Sequence, residues 1–249
     1  MPEALLSVDG LTAGYVPDMP ILHEVHLTAP AGALTVVIGP NGAGKSTLIK
    51  AVAGLVPVAA GCVVFAGAPI TGTRPDRLST QGIAYVPQSD NVFKSLSIAQ
   101  NLDLALRGAR RAGNADALFA RFPVLGEKRR ERAASLSGGQ RQLLAIAMAL
   151  ATEPRLVLMD EPSAGLSPKA ADEVLDHARA LADAGTAIVL VEQNVKQALR
   201  RGDRAWVLAE GRNRLDAPSK ELLGAPDLGE IYLGLRAEDR ADQRAGVEA

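Results

Sequence analysis

The 249-residue sequence has a single cysteine, no long apolar run and almost no net charge. The lone Cys62 excludes an intramolecular disulfide and suits a reducing compartment. Because it lies beside Val63 and Val64, we interpret it as a small core residue. The longest apolar stretches, such as residues 187–191, fall far short of the roughly 20 residues of a membrane-spanning helix. No basic segment followed by an apolar one opens the chain, so we expect no secretion signal and a cytoplasmic location.

The charge balance and hydrophobic content narrow the class of protein further. A formal net charge of −1 creates no overall field that would draw the chain to nucleic acid or to an anionic membrane. Hydrophobic residues make up 47% of the chain, enough to bury a core, which excludes a disordered protein. The length allows one large α/β domain or one domain with an insert.

Three continuous apolar runs predict the buried strands of a parallel sheet. They are Leu34–Ile38, Leu156–Met159 and Ala187–Val191, and uninterrupted apolar residues are typical of strands covered on both faces. A helix is predicted between the last two, beginning with the cap Ser167 and with Pro168 in its first turn. Its apolar face would contain Ala171, Val174, Leu175, Ala178 and Leu181. This strand–helix–strand order implies right-handed parallel crossovers, and therefore an α/β fold.

Two further regions are expected to differ from this parallel core. Residues 5–8 and 25–28 alternate between apolar and polar side chains, which predicts an N-terminal antiparallel β subdomain. Residues 90–152 look helical throughout and predict an inserted helical subdomain. Its helix breaks are expected at Gly113, Pro123 and Gly126. We expect one domain over residues 1–235 and a polar tail over residues 236–249.

A glycine-rich loop follows the first buried run. Residues Gly39 to Thr47 read GPNGAGKST and match the phosphate-loop pattern G-x-x-x-x-G-K-[ST]. Glycines let the backbone turn its N–H groups toward phosphate oxygens, and the positive end of the following helix adds to this attraction. We expect Lys45 to reach the β- and γ-phosphates of ATP and the Ser46 hydroxyl to bind Mg²⁺. The predicted ATP contacts in the loop are Gly39, Pro40, Asn41, Gly42, Ala43, Gly44, Lys45, Ser46 and Thr47.

The alternative interpretation of this loop is a glycine-rich turn with an exposed lysine. The buried strand before it and the helix predicted after it favour the phosphate site, because a phosphate loop requires both. The apolar face of that helix is expected to hold Leu48, Ile49, Val52 and Leu55. The predicted fold is therefore a P-loop NTPase core with a mainly parallel sheet.

Two acidic residues, Asp160 and Glu161, end the second buried run. They are expected at the carboxyl edge of the parallel sheet, where α/β proteins bind ligands. Asp160 would hold the Mg²⁺ shell, and Glu161 would face the attacking water. The alternative is the first turn of a helix, which Pro162 would allow, but the phosphate loop favours the functional interpretation.

A second glycine motif, Leu136-Ser137-Gly138-Gly139-Gln140, begins a strongly periodic helix. Ser137 is a good N-cap, and backbone N–H groups at a helix N-terminus attract anions. An ordinary capped helix is the alternative. Two glycines at the start cost helix stability, however, and the close approach of a phosphate would offset that cost.

LSGGQ stands about ninety residues after the phosphate loop and about twenty before Asp160. In this arrangement it resembles the signature of the ABC ATPases, across roughly residues 4–235. The resemblance implies that Tyr15 stacks on adenine and that Gln88 touches Mg²⁺ and relays to membrane subunits. It also implies that residues 163–168 cross a dimer interface. The signature residues Ser137, Gly138, Gly139 and Gln140 would then cap ATP bound to the phosphate loop of a second chain.

The partners implied by the resemblance are a second ABC ATPase subunit, identical or different, and transmembrane permease subunits. A solute-binding protein would take part indirectly, and nucleic acid would not. The chain would lie on the inner face of the cell membrane through its permeases. ATP and Mg²⁺ are the implied nucleotide and cofactor, with Ser46, Gln88 and Asp160 as the metal contacts.

Two positions depart from the usual ABC pattern. Gln193 stands where histidine is usual, and Ser167 stands where aspartate is usual. A neutral amide can hydrogen-bond a γ-phosphate but cannot titrate near neutral pH. The segments Val191–Asn194, Val86–Phe93 and Ile231–Gly234 resemble one branch of the family. That branch is the LivF type of branched-chain amino acid importer ATPases, with relatives for urea and short amides.

The predicted catalytic residues are Lys45, Glu161 and Gln193. Lys45 would neutralise charge, Glu161 would activate water and Gln193 would contact the γ-phosphate.

The interpretation as a transporter ATPase competes with two other functional classes. One is a soluble ABC protein acting on ribosomes or DNA. These usually carry two such domains or long coiled coils, which this sequence lacks. The other is a weakly hydrolysing, nucleotide-gated module, suggested by Gln193 and Ser167.

Overall fold

The chain forms two β-sheets flanked by helices, in a computed structural model that describes residues 4–16, 18–107 and 114–225. The strands in chain order are β1 (Ala4–Ala13), β2 (Leu22–Pro30), β3 (Leu34–Ile38), β4 (Val58–Phe65), β5 (Ala68–Pro69), β6 (Ile83–Val86), β7 (Leu156–Asp160), β8 (Ala187–Val191), β9 (Arg204–Ala209) and β10 (Arg212–Pro218). The expected break at Gly113, the marker 231–234 and the tail 236–249 lie outside the described residues.

The helices cover both faces of the larger sheet. In chain order they are α1 (Lys45–Val52), α2 (Pro75–Thr80), α3 (Ile98–Arg107), α4 (Ala115–Arg121), α5 (Pro123–Glu127), α6 (Gly138–Leu150), α7 (Pro168–Asp183), α8 (Val195–Arg201) and α9 (Ser219–Gly224), with a 3₁₀ turn at Ala133–Ser135. None of the helices in the described ranges is both long and apolar enough to cross a bilayer.

The larger sheet has the strand order β10-β9-β3-β8-β7-β6. All neighbouring pairs are parallel except the edge pair β9–β10. Every residue of β3, β7 and β8 is buried, because helices or the second sheet cover both faces. The predicted parallel sheet is therefore confirmed.

The register of this sheet brings the C-terminal ends of β3, β7 and β8 to the same edge. Val37 of β3 pairs with Val191 of β8, and Asp160 of β7 pairs with the same Val191. The segments after these three strands therefore leave the sheet side by side. They contain the phosphate loop, Glu161 and Gln193, so the sequence places its candidate site residues where parallel sheets bind ligands.

The smaller sheet is antiparallel, with the order β2-β1-β4-β5. Helix α1 packs between the two sheets, in a core cluster that includes Val37, Leu48 and Leu6. Val36 belongs to the opposite cluster, with helices α3, α6, α7 and α8, because successive side chains of a strand point to opposite faces. The predicted antiparallel subdomain is confirmed, with strands longer than the alternating segments indicated.

The prediction that residues 90–152 are helical throughout is wrong for residues 128–137, which contain only the 3₁₀ turn, and for the loop of residues 90–97. The side chain of Asn101 donates to the backbone oxygens of Phe93 (3.1 Å) and Ser97 (2.9 Å) and accepts from the Phe93 N–H at 2.8 Å. Asn101 is fully buried, so these bonds give the loop the partners that helical bonds would otherwise supply.

Two expected helix breaks behave differently. Pro123 begins α5, where its missing N–H costs nothing. Gly126 lies inside α5, so the break expected there is wrong. A Cβ atom at Gly126 would lie 3.3 Å from the Phe119 Cβ atom, so this glycine allows α4 and α5 to pack closely.

Two predicted core residues are exposed. Cys62 faces solvent, on the side of β4 opposite the buried Val63. Leu55 is 48% exposed, because α1 ends at Val52 and Gly54, with φ 72°, turns the chain away from the helix axis.

The helical insert is joined to α7 by a buried aromatic contact. Phe122, between α4 and α5, is almost fully buried, and its ring lies 5.1 Å from that of His177. We expect Phe122→Ala to lower the free energy of unfolding by about 3–5 kcal/mol, because the cavity cannot fully collapse. Thermal unfolding should show this as a fall in Tm of roughly 2–4 °C per kcal/mol.

Phe93→Ala is the matched control, because Phe93 is 52% exposed. It should change the unfolding free energy by less than about 0.5 kcal/mol. Equal losses in the two variants would contradict this account of how the insert is held.

Candidate functional site

The glycine-rich loop runs from the end of β3 into α1 and needs glycine at two positions. Gly39 and Gly44 have φ angles of 154° and 95°. A Cβ atom at Gly39 would lie 2.0 Å from the Leu208 oxygen, and one at Gly44 would lie 2.7 Å from a Leu22 methyl carbon. Neighbouring strands thus hold the loop tightly, and a side chain at either position would displace it.

The ammonium of Lys45 lies inside this loop. Its Nζ donates to the carbonyl oxygens of Gly39 at 2.8 Å and Pro40 at 3.0 Å, and the residue is only 4% exposed. Burial lowers the pKa of Lys45, and the carboxylates of Glu161, Asp160 and Glu192 oppose that shift. The loop therefore holds a cation that is largely removed from water and available to an incoming anion.

Asp160 is buried beside the start of α1. The Ser46 hydroxyl donates to its Oδ1 at 2.8 Å, and the Tyr85 hydroxyl donates to its Oδ2 at 3.2 Å. Lys50 Nζ lies 4.0 Å from Oδ2. Burial and the charge of Asp160 raise the pKa of Tyr85, so the phenol remains a donor. The structure brings together Ser46 and Asp160, whose role as Mg²⁺ contacts stays a prediction, whereas Tyr85 and Lys50 were not singled out from the sequence.

Glu161 receives two side-chain amides at one oxygen. Its Oε2 accepts from Gln88 Nε2 at 2.9 Å and from Gln193 Nε2 at 2.5 Å. Its own N–H donates to Val191 O at 2.9 Å, and its backbone has φ 47°. A left-handed conformation is unusual for a non-glycine residue, so this turn is set by its contacts. Three residues that the sequence singled out separately therefore meet.

An open cavity of roughly 350 Å³ lies over these groups. It is lined by Ile21, Asn41, Gly42, Ala43, Gly44, Lys45, Ser46, Thr47, Gln88, Glu161 and Gln193. Ile21 was not predicted, since a single apolar residue before β2 carries no motif. Tyr15 is not among the lining residues and is 52% exposed, so its stacking on adenine stays a prediction.

The signature residues form the N-terminus of α6, away from this cavity. The Ser137 hydroxyl accepts from the Gln140 N–H at 3.3 Å, and Gln140 Oε1 accepts from the Ser137 N–H at 3.2 Å. These two bonds form a capping box. None of residues 137–140 lines the cavity over Lys45.

The glycines of the signature have a packing role that the sequence did not reveal. A Cβ atom at Gly138 would lie 2.9 Å from a Leu166 methyl carbon, and one at Gly139 would lie 3.0 Å from the Ala170 Cβ. The absence of side chains therefore lets the start of α6 approach the start of α7. Only tertiary structure could show this contact.

Glu192, which follows β8, is a buried carboxylate to which the sequence analysis gave no role. It is 1% exposed. Its two oxygens accept from the Ser163 N–H at 3.0 Å and from the Gln193 N–H at 3.2 Å. Burial raises the pKa of Glu192, and both N–H donors oppose the shift. Its position directly after a buried strand was the sequence feature that could have identified Glu192 as a candidate site residue.

The pattern of motifs and contacts has a counterpart among known proteins. Residues 22–164 match the sequence family described as ABC transporter. The chain belongs to the ABC transporter family. The resemblance drawn from LSGGQ and the phosphate loop is thereby confirmed, and with it the ABC ATPase class and nucleotide binding.

Three relatives show which ABC proteins this chain is similar to in sequence. A probable branched-chain amino acid transport ATP-binding protein LivF of Archaeoglobus fulgidus is 39% identical, over 90% of this chain and 97% of the relative. The high-affinity branched-chain amino acid transport ATP-binding protein BraG of Pseudomonas aeruginosa is 35% identical, over 92% and 100%. The lipopolysaccharide export system ATP-binding protein LptB of Escherichia coli is 31% identical, over 86% and 91%. The two branched-chain amino acid transport proteins are thus more similar to this chain than LptB is.

Two solved structures share the fold of this ABC protein. A nucleotide-free ATP-binding cassette from an ABC transporter superposes with a TM-score of 0.79 at 27% identity, covering 92% of this chain and 99% of that one. The ADP conformation of an ATP-binding cassette of an ABC transporter gives 0.80 at 27%, covering 93% and 99%. The predicted ABC ATPase fold is confirmed.

The environment of Lys45 predicts that replacing this residue removes the binding of ATP. Lys45→Met should abolish the thermal stabilisation by ATP, because no other residue in the described part of the chain places an ammonium inside the loop. For the parent, ATP at a hundred times its Kd should add about 2.7 kcal/mol to the unfolding free energy. Differential scanning fluorimetry with and without ATP measures this difference.

The exposed Lys220 of α9 provides the control. Lys220→Met should keep the full ATP-dependent shift. A Lys45→Met chain that ATP still stabilises as strongly as the parent would show that nucleotide binds elsewhere.

Proposed function

We propose that the chain is the ATP-hydrolysing subunit of an importer for branched-chain amino acids or for related small amides and urea. The observation that carries the hydrolytic part is the Glu161 carboxylate, held by Gln88 and Gln193 at the wall of the Lys45 cavity. The similarity to the LivF and BraG proteins supports the importer assignment.

The chain's own residues divide the work of hydrolysis. Lys45 and the N–H groups of the loop would bind the β- and γ-phosphates of ATP. Glu161 would orient the attacking water and accept its proton, since its carboxylate is fixed by two amides. Gln193, a neutral amide, would contact the γ-phosphate and keep Glu161 in place.

The Ser46 and Asp160 oxygens fit Mg²⁺, which prefers oxygen ligands and keeps several waters. These two oxygens are 2.8 Å apart. The side-chain oxygen of Gln88 would be a further ligand for the metal. The described residues contain no cluster of three His, Cys, Asp or Glu side chains that could hold a metal. When bound, Mg²⁺ would offset charge on the triphosphate and on the adjacent acids.

A second ABC ATPase subunit is part of this proposal. Within one chain, Ser137–Gln140 lie outside the phosphate cavity, yet they present a helix N-terminus, which favours an anion. ATP bound at Lys45 of one subunit would therefore be capped by the signature of the other. The second subunit would be another copy or a related chain.

An apolar groove of roughly 430 Å³ offers a docking place for a permease segment. It lies between the core and the helical insert, and its walls include Leu55, Leu104, Met148 and Pro87. Leu55 and Leu104 are exposed apolar residues, which mark interaction surfaces when they lie together. Pro87 precedes Gln88, so a bound permease would be one residue from a contact of Glu161. This attachment would hold the chain on the cytoplasmic face of the membrane, with a solute-binding protein acting through the permease.

Replacing the proposed base tests the hydrolytic function. Glu161→Gln should reduce steady-state phosphate release by about 10²–10⁴-fold, because an amide cannot accept the proton of water. Stabilisation of the chain by ATP should persist, since Lys45 is unchanged. Glu221→Gln, at an exposed site of α9, should keep the parent rate.

If Glu161→Gln releases phosphate as fast as the parent, Glu161 is wrongly assigned. A parent that binds ATP but releases no phosphate, alone or with permeases, would instead favour the nucleotide-gated module suggested by Gln193.

The permease groove has its own test. Leu55→Glu should abolish co-purification with candidate permease subunits and the uptake of labelled leucine, because a charge would enter an apolar contact. Leu215→Glu is the matched control, since Leu215 is also half-exposed but lies on β10, outside the groove. Both changes should alter the unfolding free energy by less than about 0.5 kcal/mol. Retained co-purification in Leu55→Glu would place the permease elsewhere.

A further inference from the structure

We propose that Glu192 is a positioning residue for ATP hydrolysis, because its buried carboxylate fixes the backbone of Gln193 and the start of the loop Ser163–Pro168 together. The inference rests on the proposed hydrolytic function. Glu192 is not among the residues that line the Lys45 cavity, so it would act through the residues that it holds.

The carboxylate of Glu192 joins two segments that are distant in sequence. One oxygen accepts from the N–H of Ser163, two residues after Glu161, and the other accepts from the N–H of Gln193. Pro162 has no N–H, so Ser163 carries the first backbone donor after Glu161. The Glu192 carboxylate is therefore bonded to the first backbone donor after Glu161 and to the backbone donor of the residue that follows Glu192 itself.

These bonds close a ring around Glu161. On one side its N–H donates to Val191 O at 2.9 Å. On the other side its carboxylate accepts from the Gln193 side chain at 2.5 Å. Glu192 lies between these contacts in the chain and ties Gln193 back to Ser163. A shift of Glu192 would therefore move the amide that holds Glu161.

A carboxylate suits this place better than an amide. Both of its oxygens are acceptors, and two N–H groups approach them separately. Glutamine at this position would turn its NH₂ group toward one of those donors. Burial raises the pKa of Glu192, so the ionised group is held at some cost to stability, as is common at functional sites.

The same loop leads to the start of α7. Ala164 N–H donates to Glu161 O at 3.1 Å, Leu166 N–H donates to Ser163 O at 3.2 Å, and Ser167 caps the helix. Leu166 also touches the position of Gly138 in the signature. Anchoring Ser163 therefore sets the course of the loop between the water-activating residue and the signature helix.

The test compares Glu192→Gln, Gln193→Ala and the double variant of the full-length chain. Glu192→Gln should lower kcat for phosphate release by about 10- to 100-fold, the loss expected when a catalytic group is misplaced by about 1 Å. The KM for ATP should change far less than kcat, because Glu192 does not line the Lys45 cavity and acts on Lys45 only through its charge, with the smallest effect of three carboxylates. The double variant should lose less than the product of the two single losses, because both changes act on one linked group.

Two further variants make the result specific. Glu192→Asp keeps the charge but is one methylene too short to reach both amides, so its kcat should fall while thermal unfolding shows a folded chain. Glu221→Gln makes the same chemical change at an exposed site and should keep the parent kcat. Amide hydrogen exchange should become faster at Ser163 and Gln193 in Glu192→Gln and stay unchanged at Glu161.

The inference is overturned if Glu192→Gln and Glu192→Asp keep the parent kcat, or if the losses of Glu192→Gln and Gln193→Ala simply multiply. A raised KM with unchanged kcat also overturns it, since that would be a binding effect. A parent chain that releases no phosphate would instead defeat the proposed function, and this inference would fall with it.

Discussion

The buried ammonium of Lys45 is the charge on which the rest of the site depends. A cation this far from water is costly unless opposite charges lie near it. Asp160, Glu161 and Glu192 supply those charges, and each stands at the end of a parallel strand. The ammonium donates to two loop carbonyls. A phosphate is a stronger acceptor than a carbonyl oxygen, so ATP in the proposed function would compete with these carbonyls for the ammonium.

Much of this arrangement could be predicted from sequence, because buried parallel strands are runs of almost entirely apolar residues, with Thr35 as a polar exception in β3. The runs 34–38 and 187–191 have the bounds of β3 and β8, and the residues that follow them had to meet at one edge. The sharing of one Glu161 oxygen by Gln88 and Gln193 could not be predicted. It depends on side-chain directions, which periodicity does not determine.

The wrong predictions of helix and burial have one physical cause. At each of these positions a tertiary contact outweighs the preference of the local sequence. Residues 90–97 lack helix because buried Asn101 binds their backbone, and Gly126 stays within a helix because it packs on Phe119. Cys62 is exposed because β4 turns that face outward. Composition around each residue gave no sign of these neighbours, since they are brought together only by the fold.

The signature glycines show why two interpretations of one motif need not exclude each other. Gly138 and Gly139 are crowded by Leu166 and Ala170, so packing alone would explain glycine at both positions. The first turn of a helix nevertheless leaves its N–H groups without intrahelical partners, and small residues keep them accessible to a phosphate. Because Leu166 belongs to the loop that Glu192 anchors, the contact that requires glycine also places the signature relative to Glu161. Packing and the proposed anion binding would therefore both favour glycine at these two positions.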